Sequence, residues 1–179
     1  DPARREYCDK KYRDEMNAKQ DRLTGDYNAF WAGRNYRTQL GKVRAAVLMA
    51  HAFNDWNVMP EHSVEVYATL KQLGVPCMAF FHQGGHGGRP PMKMMNRWFT
   101  RYLHDVKNDV EKDPRAWIVR ENDDRMKPTP YEDFPNPTAS DVKLFLGSGA
   151  PEHGALVANP IPNQGKETLV DNVSFSGSS

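Results

Sequence analysis

Val43-Arg-Ala-Ala-Val-Leu-Met-Ala-His-Ala-Phe-Asn-Asp-Trp-Asn-Val58 is the stretch whose reading decides the fold. Its first half contains an unbroken apolar run, Ala45–Ala50, and its second half is a polar loop. A continuous run, unlike an alternating one, fits a strand covered on both faces, as in a parallel sheet. Downstream, Pro60 and Glu61 suit the first turn of a helix. Val64, Tyr67, Leu70 and Leu73 keep one face of that helix apolar, and Gly74 is placed to cap its end. A second short strand, Val75–Phe81, leads into the Gly-rich loop His82-Gln-Gly-Gly-His86-Gly-Gly88. Met92, Met95, Phe99, Tyr102, Leu103 and Val106 then mark another amphipathic helix. Strand, loop, helix, strand, loop, helix with short connections predicts an α/β fold, a parallel sheet covered by helices.

Working outward, Asp1 to about Asp26 is dense in charge. Cys8, Tyr12 and Met16 form its one narrow apolar stripe, which predicts a solvated helix ending near Gly25. Tyr27, Phe30, Trp31 and Tyr36 crowd ten positions and need a surface to pack on. After about Asp113 the character changes. Arg115–Glu121 (RAWIVRE) reads as a strand, and seven of the 13 prolines fall between Pro128 and Pro162. Three short β-rich pieces follow: VKLFLG at Val142–Gly147, ALVA at Ala155–Ala158 and a final TLVDNVSF. Short strands separated by turn residues suggest a β-sandwich, but three are too few to close one. The expected division is 1–113 for the α/β part and 114–179 for the beginning of a β-sandwich.

The chain has 179 residues, with 24 Lys+Arg against 23 Asp+Glu and a net charge of +1. That balance excludes the polycationic surface of a nucleic-acid binder. No run approaches the ~18 apolar residues of a transmembrane helix, so no membrane partner is expected. Hydrophobic residues make up 39%, enough for a modest core. The two cysteines, Cys8 and Cys77, exclude a disulfide-dense scaffold and lack metal-type spacing. Asp1 opens directly into a polar stretch without a leader, as a mature or truncated chain also would.

Two loops carry candidate chemistry: His51-Ala-Phe-Asn-Asp55-Trp-Asn-Val and His82-Gln-Gly-Gly-His86-Gly-Gly. Both follow the carboxyl ends of predicted parallel strands, the edge where open α/β sheets gather their reacting groups. An acid after one strand and a histidine after the next matches the latter part of the Ser…Asp…His chain order of α/β-hydrolases. In such a triad the histidine takes the serine proton, while the aspartate fixes its tautomer and stabilises the imidazolium. The spacing alone leaves His82 and His86 both open as the base. Two histidines four apart suit a metal on a helix face, but Gly84 and Gly85 make this stretch a loop. No metal and no cofactor are therefore expected.

AHAFNDWNV, followed by FHQGGH, closely resembles the Xaa-Pro dipeptidyl-peptidase branch of the cocaine-esterase-like serine hydrolases. AFWAGRNYR upstream resembles the family's approach to this strand, and the resemblance runs from about Asp26 to Gly147. It implies that Asp55 is the acid and His86 the base, 31 positions apart. One departure is His51-Ala-Phe in place of a His-Gly-small run. The resemblance implies the C-terminal part of an α/β-hydrolase sheet followed by the start of a jelly-roll β-sandwich. It also implies a serine peptidase that removes N-terminal Xaa-Pro dipeptides, with peptides carrying proline at the second position as substrate.

The family's nucleophile is a serine on a tight turn upstream of the acid. No G-x-S-x-G occurs in this chain. Ser63 falls in a predicted helix, and every other serine, from Ser140 onward, follows His86. The expectation is that an upstream segment or companion chain carries the catalytic serine and that this chain alone is inactive. An esterase or acylase of the same superfamily, or a non-catalytic hydrolase-like binding fragment, are the alternatives. Trp56 has two readings, a shield over the Asp–His pair or a lining of the substrate pocket. His51 reads as structural, bonded to nearby backbone; His62, His104 and His153 read as surface residues. Family members occur in the cytoplasm and outside the cell, so the compartment stays open.

Overall fold

The computed structural model describes residues 1–148, 154–166 and 168. They divide into two compact units, Asp1–Pro137 and Thr138–Ser179. The first unit is built on a four-stranded sheet. Strand β1 (Val47–Ala52) pairs in parallel with β2 (Cys77–His82), Val47 opposite Cys77 and Ala52 opposite His82. β2 pairs in parallel with β3 (Ala116–Ile118), and β3 pairs antiparallel with β4 (Thr129–Tyr131), giving the order β1-β2-β3-β4.

The central position of β2 explains its sequence. Met78 through His82 are all buried, so apolar side chains are needed on both faces and no alternation is possible. Ala79 and Phe81 pack on Tyr67, with Met49, Phe53, Val64 and Ile118 around them. Met78 packs with Trp98 and Val110 in a second cluster. Tyr67 lies on the helix Pro60–Gln72 and Trp98 on the helix Met92–His104, so each helix covers its own cluster.

Numbered in chain order, these helices are preceded by α1 (Pro2–Cys8), α2 (Glu15–Gln20) and α3 (Ala29–Ala32), which makes them α4 and α5. Pro60 opens α4 where its missing N–H is harmless, and Gly74 at φ +70° follows its end. α5 buries Trp98, with Met94 and Tyr102 packed beside it. The expected stripe is therefore rotated: Met92, Phe99, Leu103 and Val106 are exposed.

The charged N-terminus is helical, as its pattern predicts. A π-helical stretch, Asp9–Asp14, joins α1 to α2, and none of these residues is buried. Pairs such as Lys11–Glu15 at 3.1 Å lace its surface. The aromatic stretch folds back on it. Asn28 caps α3, and the Trp31 indole N–H donates to the Gln20 carbonyl at 3.1 Å.

The boundary expected at 113/114 needs correction. Ala116–Ile118 is the third strand of the α/β sheet, and Ala116 and Val119 are buried in it, so the unit runs on to Pro137. The strand character of RAWIVRE is right, but its sheet is the parallel one. In the second unit β5 (Phe145–Gly147) and β6 (Ala155–Val157) form an antiparallel pair, Leu146 opposite Leu156. The last expected strand, TLVDNVSF, lies outside the described residues, Thr168 apart.

Candidate active site

The site begins where β1 and β2 end side by side. The Phe53 amide donates to the His82 carbonyl at 2.7 Å, one step beyond the paired residues Ala52 and His82. The chain then departs into the acid loop on one side and the Gly-rich loop on the other. Asn54 ties the two together, its side-chain amide donating to the Gln83 carbonyl.

Asp55 is buried at 6% exposure, and both of its oxygens are engaged. Oδ1 accepts the backbone amides of Asn57 and Val58, each at 3.0 Å. Oδ2 accepts from His86 Nδ1 at 2.9 Å. The Val58 amide does most to hold this carboxyl below its ordinary range. Burial opposes it, and the His86 ring and the Asn57 amide add to the lowering. Asp55 is thus an ionised acceptor at neutral pH.

His86 presents the opposite environment, its side chain 60% exposed. Because Nδ1–H donates to a carboxylate, the lone pair sits on Nε2, and among the described residues no hydrogen bond occupies that nitrogen. The ring stands at a cleft of about 250 Å³ bordered by His51, Asp55, Val58, Gly87 and Gly88. A larger cavity of about 320 Å³ between α5 and the β3–β4 region is lined by Met78, Met94, Trp117 and Met126. Its Arg97 and Asp113 are bonded to each other, and neither Asp55 nor His86 borders it.

His82, the rival base, is buried at 1% exposure. Its Nδ1 accepts the Gly84 amide at 3.1 Å, which puts the ring proton on Nε2. Burial first, and then the Arg125 guanidinium, push its pKa down, with the backbone of Gly87 and Gly88 opposing. A ring so enclosed cannot reach a substrate.

His51 is structural, as the sequence suggests. Nε2–H donates to the Val58 carbonyl at 2.9 Å, and Nδ1 accepts from the Ser63 hydroxyl. The same Nε2 lies 3.4 Å from Asp55 Oδ2. Ser63 is thus used as a brace for the acid loop. Trp56 is 86% exposed and does not cover the Asp–His pair, so its reading as a shield fails. Sequence reasoning missed Asn54 and Ser63. Asn54 bonds to a carbonyl 29 positions away, and nothing local announces that partner.

A buried carboxylate orienting an exposed imidazole whose far nitrogen is open is the arrangement a serine nucleophile requires. Residues 1–88, which hold all these groups, match the family profile described as X-Pro dipeptidyl-peptidase (S15 family). Residues 1–88 belong to the X-Pro dipeptidyl-peptidase (S15) family. A curated relative from Rhodopirellula baltica, provisionally named an Xaa-Pro dipeptidyl-peptidase, is 56% identical over 99% of this chain. The Xaa-Pro dipeptidyl-peptidase of Lacticaseibacillus rhamnosus is 34% identical over 72% of it. The chain spans 28% of the length of the first relative and 17% of the second. A solved CocE/NonD family hydrolase from Staphylococcus aureus superposes with a TM-score of 0.53 at 17% identity, over 75% of this chain and 23% of that one. That likeness speaks for the fold: a mixed α/β unit with a parallel sheet.

Proposed function

We propose that this chain supplies the acid, Asp55, and the base, His86, of a Ser-Asp-His triad in a serine peptidase that removes N-terminal Xaa-Pro dipeptides. The observation that carries this reading is the 2.9 Å bond from His86 Nδ1 to a buried Asp55 whose other oxygen is saturated by backbone amides. The names of the S15 relatives support the substrate class.

In this mechanism His86 Nε2 takes the proton of a serine hydroxyl as the oxygen attacks the carbonyl of the proline residue. Asp55 stabilises the imidazolium that forms. His86 then returns the proton to the departing amine, leaving the Xaa-Pro acyl group on the serine. Water repeats the two transfers and frees the dipeptide and the serine.

The serine comes from a segment outside residues 1–179, because Ser63 is bonded to His51 and no other serine precedes His86. Trp56, exposed beside the acid, lines the wall of the substrate pocket on this reading. On this reading the β5–β6 pair belongs to the start of a jelly-roll β-sandwich. The test is turnover of an Xaa-Pro chromogenic amide and of a simple ester by the chain assembled with its serine-bearing segment. Xaa-Pro amide hydrolysis sensitive to serine-directed inhibitors is expected. Ester turnover without amide turnover would instead favour the esterase reading.

A further inference from the structure

His82 lies in the loop that carries the base, yet the mechanism does not use it. It is the most enclosed polar side chain in that loop, and the loop is wound around its ring. Gly84 donates its amide to Nδ1 at 3.1 Å. A Cβ on Gly84 would stand 2.9 Å from that same Nδ1. On the far side of the ring, a Cβ on Gly88 would stand 2.5 Å from Nε2 and 2.7 Å from Cε1. The Phe80 ring packs against the imidazole with centroids 5.7 Å apart. The two glycines that bracket His86 are therefore in van der Waals contact with one buried ring, and His86 sits on the arc between them.

We propose that His82 is a positioning residue: an uncharged post that sets the path of Gln83–Gly88 so that the His86 ring meets Asp55. The proposal rests on the triad reading above. Two features make His82 suited to this. The Gly84 bond needs an unprotonated Nδ1, and the groups facing the ring, Arg125 from the β3–β4 connection and His51 from β1, both oppose a charge on it. Its carbonyl also receives the Phe53 amide at 2.7 Å, so one residue fixes the base loop by its ring and the root of the acid loop by its backbone. Ring and backbone together leave His86 little freedom to drift from Asp55.

The test uses the enzyme assembled with its serine-bearing segment. His82→Asn keeps an acceptor where Nδ1 stands, whereas His82→Leu fills a similar volume and accepts nothing. Two signals are read: kcat and KM on an Xaa-Pro amide, and the low-field proton resonance of a histidine Nδ1–H bonded to a carboxylate. In His82→Leu, kcat should fall about 10²-fold, the scale of a 1 Å misplacement, with KM little changed and the low-field resonance lost. His82→Asn should restore both. A folded His82→Leu that keeps the resonance and the turnover overturns the proposal.

If His82→Leu does not fold, Gly88→Ala decides. Gly88 has φ +104°, so alanine is strained there in any background, and its Cβ would stand 2.9 Å from Arg125 Nη1 in both; the 2.5 Å approach to the imidazole is the contact that only the wild type adds. Gly88→Ala should therefore harm kcat and the resonance more in the wild type than in His82→Asn. Equal harm in both backgrounds overturns the proposal. Asp55→Asn and His86→Ala serve as controls. If they leave turnover intact, the triad reading fails, and the role of His82 in pairing is judged on the resonance alone.

Discussion

The Phe53 amide and the His82 carbonyl, 2.7 Å apart, form the last rung between β1 and β2, and the loops that carry Asp55 and His86 both start from it. Asp55 and His86 are 31 positions apart in the chain and 2.9 Å apart in the fold. The helix and strand between them do not have to be placed independently for the pair to meet. Parallel pairing in register, Ala52 beside His82, brings the two loop origins together. The Asn54–Gln83 bond then closes the gap above that rung.

Asp55→Asn separates chemistry from folding. The new side chain keeps an oxygen for the Asn57 and Val58 amides, so thermal unfolding should shift little. The group facing His86 Nδ1 becomes a donor, which favours the wrong tautomer. Turnover of an Xaa-Pro amide by the assembled enzyme should fall by about 10⁴, and His86→Ala should do as much harm. Near-full activity in Asp55→Asn would remove Asp55 from the triad.

Acid should destabilise the assembled enzyme in two stages. Stability drops as pH drops wherever the unfolded chain binds more protons than the folded one. Burial, chiefly, holds His82 below its ordinary 6.5, so its contribution is complete above 6.5 and is lost as pH falls toward its folded value. Asp133 behaves likewise in a lower window. Burial raises its pKa, but Lys71 at 2.8 Å and the Tyr67 hydroxyl at 2.8 Å outweigh that and hold it below its ordinary 3.8. Its contribution is complete above 3.8 and is lost below it, together with that of Asp55. Denaturant midpoints against pH should show both stages, with His82→Asn removing the upper one. Asp133→Asn should cost about 1–2 kcal/mol at pH 7, because it leaves Lys71 half-buried without its counter-charge. A single stage unchanged by His82→Asn would remove His82 from the pH dependence.

The two strands and two helices around the site were legible in the sequence because unbroken apolar runs and a 3.6-residue period report burial directly. Asp55 and His86 were legible through their loops' wording more than through any physical signal, since spacing alone left His82 in contention. Burial separated them: His82 ends β2 inside the core, and the loop carries His86 out of it. The face of α5 was misjudged. Its apolar residues span more than one stripe, and only packing on Met78 and Val110 selects Met94, Trp98 and Tyr102. The extent of the sheet was misjudged as well. A three-residue strand such as Ala116–Ile118 looks the same in either kind of sheet, and its pairing with Ala79–Phe81 is non-local.

The corrected boundary is itself testable. A chain ending at 113 lacks β3 and leaves the edge of β2 bare beside Ala79, Phe80 and Phe81. A bare apolar edge of that kind promotes aggregation. Residues 1–137 keep β3 and β4 and the Lys71–Asp133 bond. In parallel expression, 1–137 should be the more soluble and the more cooperative on heating. Equal behaviour of the two would restore the boundary at 113.

The other edge of the sheet points to what this chain needs. Val47 donates its amide to the Pro76 carbonyl and Phe53 to His82, so the odd-numbered residues of β1 face β2. By alternation the amides of Leu48 and Ala50 face outward, and among the described residues no strand receives them. An unpaired edge beside Leu48 and Met49 invites another strand. On the triad reading proposed above, a serine-bearing segment would supply the missing strand, and residues 1–179 alone should then be poorly ordered or self-associated and inactive. Hydrogen exchange reads this residue by residue. In the chain alone the Leu48 and Ala50 amides should exchange fast while Phe53 is protected. With the serine-bearing segment present, Leu48 and Ala50 should become as slow as Phe53. Slow exchange at Leu48 and Ala50 in a monodisperse monomer that unfolds cooperatively would show that β1 needs no neighbour and would sink the prediction.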